Sequence, residues 1–436
     1  MIILNSVWSD GTSIQSFNKL RGDVKTDVLI VGGGMAGILC AYFLAGAGVD
    51  YILVEAKKIG CGITKNTTAK ITSQHGLIYS DLIKNFGFEK AKKYLTVNQA
   101  AIEEYRRLSQ RFPCDFEEKP AFVYSIDNKG KIEKEVEAVN KLGFKSEFAE
   151  NIPIPVKVEG AVKFGAQAQF NPLQFIEGVS RGLNIYEDTF IKNVDGNTAL
   201  FDGGKITAEK VIIATHFPFI NTHGSYFLKM YQHRSYVIAL ENAQNADGMY
   251  VDEKETGMSF RNYRDLLLVG GGDHRTGKQG GGWEELRGFA KNAYPNAAEK
   301  YAWATQDCMT LDGIPYIGRY SKSTRDLYVA AGFSKWGMTS SMVSAMILSD
   351  MVMGRENEFC DIFSPSRTMM RGQLLVNAFE AVTNLLSFST KRCTHLGCSL
   401  KWNKLQRSWD CPCHGSRFGE HGNIIDNPAM KGIKVE

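Results

Sequence analysis

The chain has no apolar run long enough to cross a bilayer. Its longest, Met342 to Met353, is broken by Ser344, Ser349 and Asp350, whereas a spanning helix needs about 20 predominantly apolar residues. No charge of one sign dominates: 51 Lys and Arg against 47 Asp and Glu leave +4 on 436 residues, too little to imply a nucleic-acid or membrane partner. The first residues, MIILNSVWSDGTS, hold no basic region followed by an apolar run and a small-residue cleavage site, so secretion is not expected. Cysteine is sparse and unpatterned until late. Five of the nine, Cys40, Cys61, Cys114, Cys308 and Cys360, are scattered, which fits a cytoplasmic chain without structural disulfides over most of its length. Internal repeats, low-complexity tracts and long linkers are absent. A composition of 44% hydrophobic and 22% charged residues is that of a globular chain, and the length suggests two or three domains.

What is present is concentrated near the two ends. Late in the chain stand Cys393-Thr-His395-Leu-Gly-Cys398 and Cys411-Pro-Cys413-His414-Gly-Ser416. Cys393-x-His395 and Cys411-x-x-His414 offer two thiolates and two imidazoles from two loops. Thiolates on one iron and neutral imidazoles on the other describe a [2Fe–2S] centre of raised potential. A structural zinc ion takes the same donors, but Pro412 between two cysteines and Gly-Ser after the second histidine suit it poorly. The passage resembles the Rieske family of the bc-complex type. That resemblance implies Cys393, His395, Cys411 and His414 as cluster ligands, and a disulfide between Cys398 and Cys413 tying the two loops together. It also implies that Ser416 donates to a bridging sulfur. High-potential members carry a tyrosine two residues later, where this chain has Phe418.

The resemblance departs from the family upstream. A full Rieske domain places several strands before its first loop, but Gly372 to Lys391 carries Leu374, Leu375, Val376, Phe379, Val382, Leu385 and Leu386 at helical spacing. The expectation is a helical connector over 358–392, bounded near Asn357 to Arg367, and a minimal cluster subdomain over 393–436. So small a unit buries too little to fold unaided, so the cluster, the disulfide and docking on a larger body must supply the rest. His395 and His414 are expected on loop tips open to a partner.

Near the start, Asp27 to Val31 is an apolar strand followed at once by Gly32, Gly34 and Gly37 in G-x-G-x-x-G spacing, a helical stretch, and a second strand, Tyr51 to Val54, ending at Glu55. The glycines supply a tight turn, close approach to a pyrophosphate and close helix–strand packing, and the acid accepts from ribose hydroxyls. This is a dinucleotide site. Gly60 to Thr72, with Thr67, Thr68 and Ala69, resembles the second FAD loop of the D-amino-acid-oxidase-like (DAO) flavoenzymes. Lys210 to Thr215 resembles their strand ending in Ala-Thr-Gly, with His216 replacing the glycine. Asp312 to Gly318 and Ala331 to Thr339 resemble their closing flavin motif, in which a helix amino end faces the flavin. The resemblance runs from about residue 25 to 356. It implies FAD contacts from Gly32, Gly34, Met35, Ala36, Gly37, Glu55, Ala56, Thr67, Thr68, Ala69, Ile191, Ala214, Thr215, Asp312, Gly332, Gly337, Met338 and Thr339.

The implied fold for residues 1–357 is an α/β, Rossmann-like FAD domain (about 25–90, 155–222 and 306–356) with an antiparallel-sheet substrate domain (about 91–154 and 223–305). The small β-rich cluster subdomain follows. Candidate catalytic residues are Lys70 and His75 on the flavin loop and Arg234 and Tyr236 on the roof, with Tyr231, His233, Arg261, Tyr263 and His274 as further possibilities. Each also has an ordinary structural reading, and Asp273-His274-Arg275 after three glycines reads as a turn. The resulting function is oxidation of a small amine, amino acid or hydroxy acid at FAD, with electrons leaving singly through the cluster to a protein acceptor. Two alternatives stand beside it: inward flow from a one-electron donor, and a cluster that senses or merely stabilises.

Overall fold

The computed structural model describes residues 4–387 and 389–435. Val24–Val31 pairs in parallel with Tyr51–Val54 on one side and Gly204–Ile213 on the other. The sheet runs Tyr316–Arg319, Leu327–Ala331, Gly204–Ile213, Val24–Val31, Tyr51–Val54, Ile185–Tyr186. Its two central strands end in continuous apolar runs, Val28 to Val31 and Val211 to Ile213, where both faces are covered. On one face, Met35–Gly46 and Gly337–Val352 pack into the main core through Ile38, Leu39, Met342 and Val343.

The second sheet has nine strands. At one edge Ala298–Thr310 pairs with Met230–Glu241, which pairs with Leu266–Arg275. The order continues through Ser259–Tyr263, Met249–Asp252, Glu117–Ser125, Gly160–Gln169 and Lys70–Ile71, with Ser146–Ala149 on Gly160–Gln169. The expectation of an antiparallel sheet holds at every pairing except one: Met249–Asp252 and Glu117–Ser125 run parallel. Those two strands come from separate insertions, so no hairpin fixes their relative direction. Lys70–Ile71 and Gly160–Gln169, placed with the cofactor segments from sequence, are strands of this sheet. Asp273 to Arg275 is not a turn; it completes a strand, His274 pairing with Arg234 and Arg275 with His233.

The tail forms a four-stranded antiparallel sheet of Lys401–Asn403, Ser408–Asp410, Arg417–Gly419 and Ile424–Asp426. Its small core joins Leu400, Phe418 and Ala429 to Cys393, Cys398, Cys411 and Cys413. The helix before it, Gly372–Leu386, lies where the apolar spacing puts one. It is turned inside out, its buried residues being Asn377 and Asn384.

Candidate active site and cluster site

The nucleotide cradle follows from its glycines. Gly32 sits at φ +114°, and a side chain there would put Cβ 2.5 Å from Ala214 O; at Gly37, Cβ would fall 1.9 Å from Gly32 O. Only glycine allows the strand, turn and helix to approach this closely. Glu55 Oε2 accepts from Gly33 N at 2.7 Å and Oε1 from Lys57 N at 2.8 Å. Burial raises its pKa, and the two amides oppose that rise. Thr64 Oγ1 accepts from Met35 N at 3.0 Å and fixes the helix start. Gly34, Ala36 and Ala56 flank these contacts, Ala214 closes over Gly32, and Thr215 O accepts from Asn427 Nδ2 of the tail. Ile191 is buried in the sheet core beside Phe201. The cradle fits a dinucleotide.

A cavity of about 510 Å³ opens between the flavin loop, the second sheet and the start of Gly337–Val352. Thr67, Thr68, Lys70, His75, Asp312, Gly337 and Met338 line one side; Ser235, Tyr236, Asp273, Thr305 and Asp307 line the other. Thr339, Ala69 and Gly332 stand just behind this lining. His75 is a joint. Its Nε2 lies 2.8 Å from Thr72 O and 2.9 Å from Thr339 Oγ1, its Nδ1 2.6 Å from Tyr94 OH, and its ring stacks on Trp336 at 5.1 Å. Burial pulls its pKa down to about 3, so it is neutral near pH 7 and its nitrogens are committed to partners. Lys70 Nζ donates to Thr68 Oγ1 at 3.1 Å and faces the cavity. Burial, helped by Arg261, lowers its pKa to about 7.

The residues expected on the roof turn away from the cavity. Tyr236 borders the cavity, but its side chain turns to the far face of the sheet, its hydroxyl 3.0 Å from His274 Nε2 and its ring edge-on to Trp283 at 5.0 Å. Arg234, expected above the flavin, lies on that same far face, donating to Gln406 Oε1 of the tail at 2.6 Å. Arg234 and Tyr236 share one face of a regularly alternating strand, pairing with Gln306 and Ala304; the bulge beside them lies in Gly271 to His274 of the neighbouring strand. Arg261 is buried and donates to Thr68 O and Ala69 O at 2.7 and 2.9 Å, bracing the flavin loop from outside the cavity. Tyr263 donates to Asp115 at 2.7 Å, and Tyr231 lies under the Arg275 guanidinium at 4.7 Å. His233 stands 4.0 Å from Glu255, and burial pulls its pKa down to about 3.

Two carboxylates that the sequence reading passed over face the cavity instead. Asp273 Oδ2 accepts from Lys335 Nζ at 2.8 Å, while its buried Oδ1 has no partner among the described residues; the same holds for Thr305 Oγ1. Burial pushes Asp307 up to about 6, against the pull of Lys335. The signal for Thr305 and Asp307 was available: they alternate along a strand and so share a face.

In the tail, the sulfur atoms of Cys398, Cys411 and Cys413 lie within 4.8 Å of one another, and all four cysteines are thiols here. Cys411 beside Cys393 raises the Cys393 thiol pKa. The rings of His395 and His414 are 4.9 Å apart at 87°, and Nδ1 of each is buried with no partner among the described residues. Burial holds both imidazoles neutral, at about 4 and about 3. His395 Nε2 lies 3.1 Å from Asn221 Oδ1, an outer bond that leaves Nδ1 free as a ligand. Two neutral imidazoles with unused Nδ1 atoms beside adjacent thiols fit a [2Fe–2S] cluster held by Cys393, Cys411, His395 and His414.

The histidine tips, expected to face outward, face the chain's own body. Phe217 lies edge-on to both rings at 6.4 Å, and Phe227 to His414 at 6.2 Å. Gln232 Nε2 donates to His414 O at 2.8 Å, and Gln306 Nε2 to Gly415 O at 2.9 Å. Arg275 donates to Pro412 O at 2.9 Å and Cys413 O at 3.0 Å. Long-range packing turned the loops inward, and no local motif in the tail encodes those partners.

The sequence matches two family models: DAO, FAD dependent oxidoreductase, over residues 27–351, and the Rieske [2Fe-2S] domain over residues 367–435. It is 34% identical to the Rieske 2Fe-2S iron-sulfur protein YhfW of Bacillus subtilis (strain 168), covering 98% of this chain and 96% of that protein. A 43-residue stretch is 46% identical to cytochrome b6-f complex iron-sulfur subunit 3 of Nostoc sp. (strain PCC 7120 / SAG 25.82 / UTEX 2576), covering 10% of this chain and 24% of that subunit. The fold is similar to glycine oxidase from Geobacillus kaustophilus, with a TM-score of 0.65 at 20% identity over 79% of this chain and 99% of that one. Among the described residues no helix is long and apolar enough to cross a membrane.

Proposed function

Because the chain belongs to the DAO family of FAD-dependent oxidoreductases and carries a Rieske [2Fe-2S] domain behind it, we propose that it is a dehydrogenase of a small amine or amino acid that passes electrons singly through the cluster to a protein acceptor. Bound FAD supplies hydride acceptance and the cluster supplies one-electron exchange. The observation that carries the reading is the alternation of one strand. Thr305 and Asp307 line the cavity, while Gln306 between them holds the cluster loop at Gly415. A single sheet layer therefore separates the substrate cavity from the cluster site.

The cavity's own side chains favour a cationic substrate. Asp307 and the free oxygen of Asp273 accept N–H bonds from an ammonium group, with Thr305 Oγ1 beside them. Lys335 already answers one of the two carboxylates, so the remaining negative charge attracts a cation. Lys70, whose pKa burial lowers to about 7, is in part neutral near that pH and can take the ammonium proton at Nζ, leaving an amine lone pair. The cradle glycines and the Gly337–Val352 amino end hold the cofactor, and the His75 joint keeps loop and helix in register. Glycine oxidase, whose fold is similar, is named for an amine-bearing substrate, in line with this assignment.

The test separates the two halves. Cys411→Ser removes one cluster ligand from the tail and leaves the larger dinucleotide core untouched. Anaerobic bleaching of the flavin by a library of amines and amino acids is expected at a near wild-type rate, with reduction of one-electron protein acceptors slowed by about tenfold or more. If both reactions fall together, the tail belongs to the active site; if neither falls, the cluster is no outlet. A library in which no compound bleaches the flavin overturns the dehydrogenase reading.

A further inference from the structure

The Gly372–Leu386 helix uses its polar face to attach and leaves its apolar face uncovered. Asn377 Oδ1 accepts from Arg275 Nη1 at 3.0 Å, Asn384 O accepts from Ser399 N at 2.9 Å, and Glu380 pairs with Lys278 at 2.8 Å. On the outside, Leu375 is 74%, Phe379 70% and Leu386 75% exposed, with Val376, Val382 and Leu385 between them. Those six residues form a stripe along a helix of 15 residues, about 22 Å long. Contiguous apolar surface of that length marks a binding face. The stripe is not needed for the attachment of the helix, which its polar side already provides.

We propose that this face docks the acidic protein that takes electrons from the cluster, an inference that rests on the outward path proposed above. Continuity with the cluster site supports it. Glu380 O lies 3.8 Å from Cys413 Sγ, and Leu385 Cδ2 lies 3.9 Å from where a Cβ on Gly397 would sit in the first cluster loop. A partner on the stripe is separated from the cysteine side of the cluster by one helix, about 10 Å across. Phe217 and Phe227 close over His414, and the stripe adjoins the cluster loops from the cysteine side.

Charge selects among occupants. The helix carries no Lys or Arg, and its one acid, Glu380, is turned inward and neutralised. Arg371 before it stacks on Phe86 beside the substrate cavity, whereas Lys391 and Arg392 follow it and Arg392 is exposed. The C-terminal end, beside the first cluster loop, is therefore positive, which suits an acidic partner. A second copy packed with its helix parallel brings the positive ends together. A membrane-surface helix carries Lys and Arg along its own polar face, whereas this polar face is Asn, Gln and Glu directed into the protein.

The test uses the full chain loaded with FAD and cluster, reduced with dithionite, desalted, and mixed in a stopped-flow instrument with cytochrome c or its succinylated, acidic form. Each turnover oxidises the protein by one electron and reduces one ferric haem to ferrous, with no bond made or broken. The acidic form is expected to react about tenfold faster at low salt, an advantage that shrinks as ionic strength rises. Leu375→Ser with Phe379→Ser should slow it about tenfold while ferricyanide, which needs no docking face, stays within about twofold. Iron and flavin contents are checked alongside, and Leu386→Ser at the far end of the stripe carries the same comparison if the pair lowers either. A faster reaction with unmodified cytochrome c, or variants that match wild type, overturns the proposal. So does loss of a dimer in the double variant, or of co-sedimentation with phosphatidylglycerol vesicles, since each gives the face to another occupant. Should Cys411→Ser leave both haem reactions unchanged, the outward path itself fails, independently of the docking face.

Discussion

Gln306 donates to the carbonyl of Gly415 at 2.9 Å and to Gln232 Oε1 at 2.6 Å, while its neighbours Thr305 and Asp307 face the cavity. Gly415 has no room for a side chain there, because a Cβ would lie 2.4 Å from the Gln232 side chain. Body and tail are thus fitted at backbone level. Gln306→Leu keeps the bulk but removes these two bonds and the one its Oε1 accepts from Thr276 Oγ1, and strands the Gly415 carbonyl, at a cost of about 1–3 kcal/mol for that carbonyl. The expected result is hydrogen exchange over residues 411–416 about tenfold to a hundredfold faster, with flavin content unchanged. Exchange equal to wild type would mean that the apolar contacts to Phe217 and Phe227 alone hold the tail.

Lys70 gives the cavity its pH dependence. Its pKa is lowered to about 7, so the amine becomes neutral, and able to accept a proton, as pH rises through that value. The rate of flavin reduction at limiting amine concentration should therefore climb with an inflection near pH 7 and level off above it. Lys70→Met should abolish that inflection and lower the plateau by about a hundredfold, within the usual range for a positioned base. An inflection that survives in Lys70→Met assigns the titration to another group, with Asp307, at about 6, the next to examine.

What was legible in the sequence was local. Gly32, Gly34 and Gly37 sit within one turn, and their spacing encodes the cradle directly; the donors of Cys393 to His395 and Cys411 to His414 are as compact. The 372–386 helix was legible from its period, but a period reports that a stripe exists and not which side meets the protein. Its inversion depends on Arg275 and Ser399, remote in sequence or in the tail itself. Arg234 and Tyr236 show the same limit: alternation places both on one face, and it does not say that this face meets the tail and Trp283 instead of the cavity. The inward turn of His395 and His414 depends on Phe217, Phe227 and Gln232, nearly two hundred residues upstream, and nothing in the tail announces it. Asp273 and Asp307 passed unnoticed because a carboxylate in a strand is ordinary until the cavity in front of it is seen.

Phe418 sits fully buried in the small core that holds all four tail cysteines. Its strand, Arg417–Gly419, pairs with Ser408–Asp410, and Ser416 immediately before it accepts from Ala429 N at 3.0 Å. That bond uses a lone pair on Ser416 Oγ and leaves its proton free to donate to the cluster side. At Phe418 no such donor exists, whereas high-potential Rieske proteins, which this tail resembles, carry a tyrosine there. Reduction adds negative charge to the cluster, and a donor toward its sulfur atoms stabilises that charge. Phe418→Tyr should therefore raise the midpoint potential by tens of millivolts, on the order of 1 kcal/mol for one hydrogen bond. The measurement is a redox titration followed by the cluster's visible circular dichroism, with iron content confirming full loading. Because the ring already fills a closed core, the added hydroxyl must either find a sulfur or go unpaired. The first raises the potential; the second leaves it unchanged and lowers the melting temperature, and that pair of results would sink the assignment.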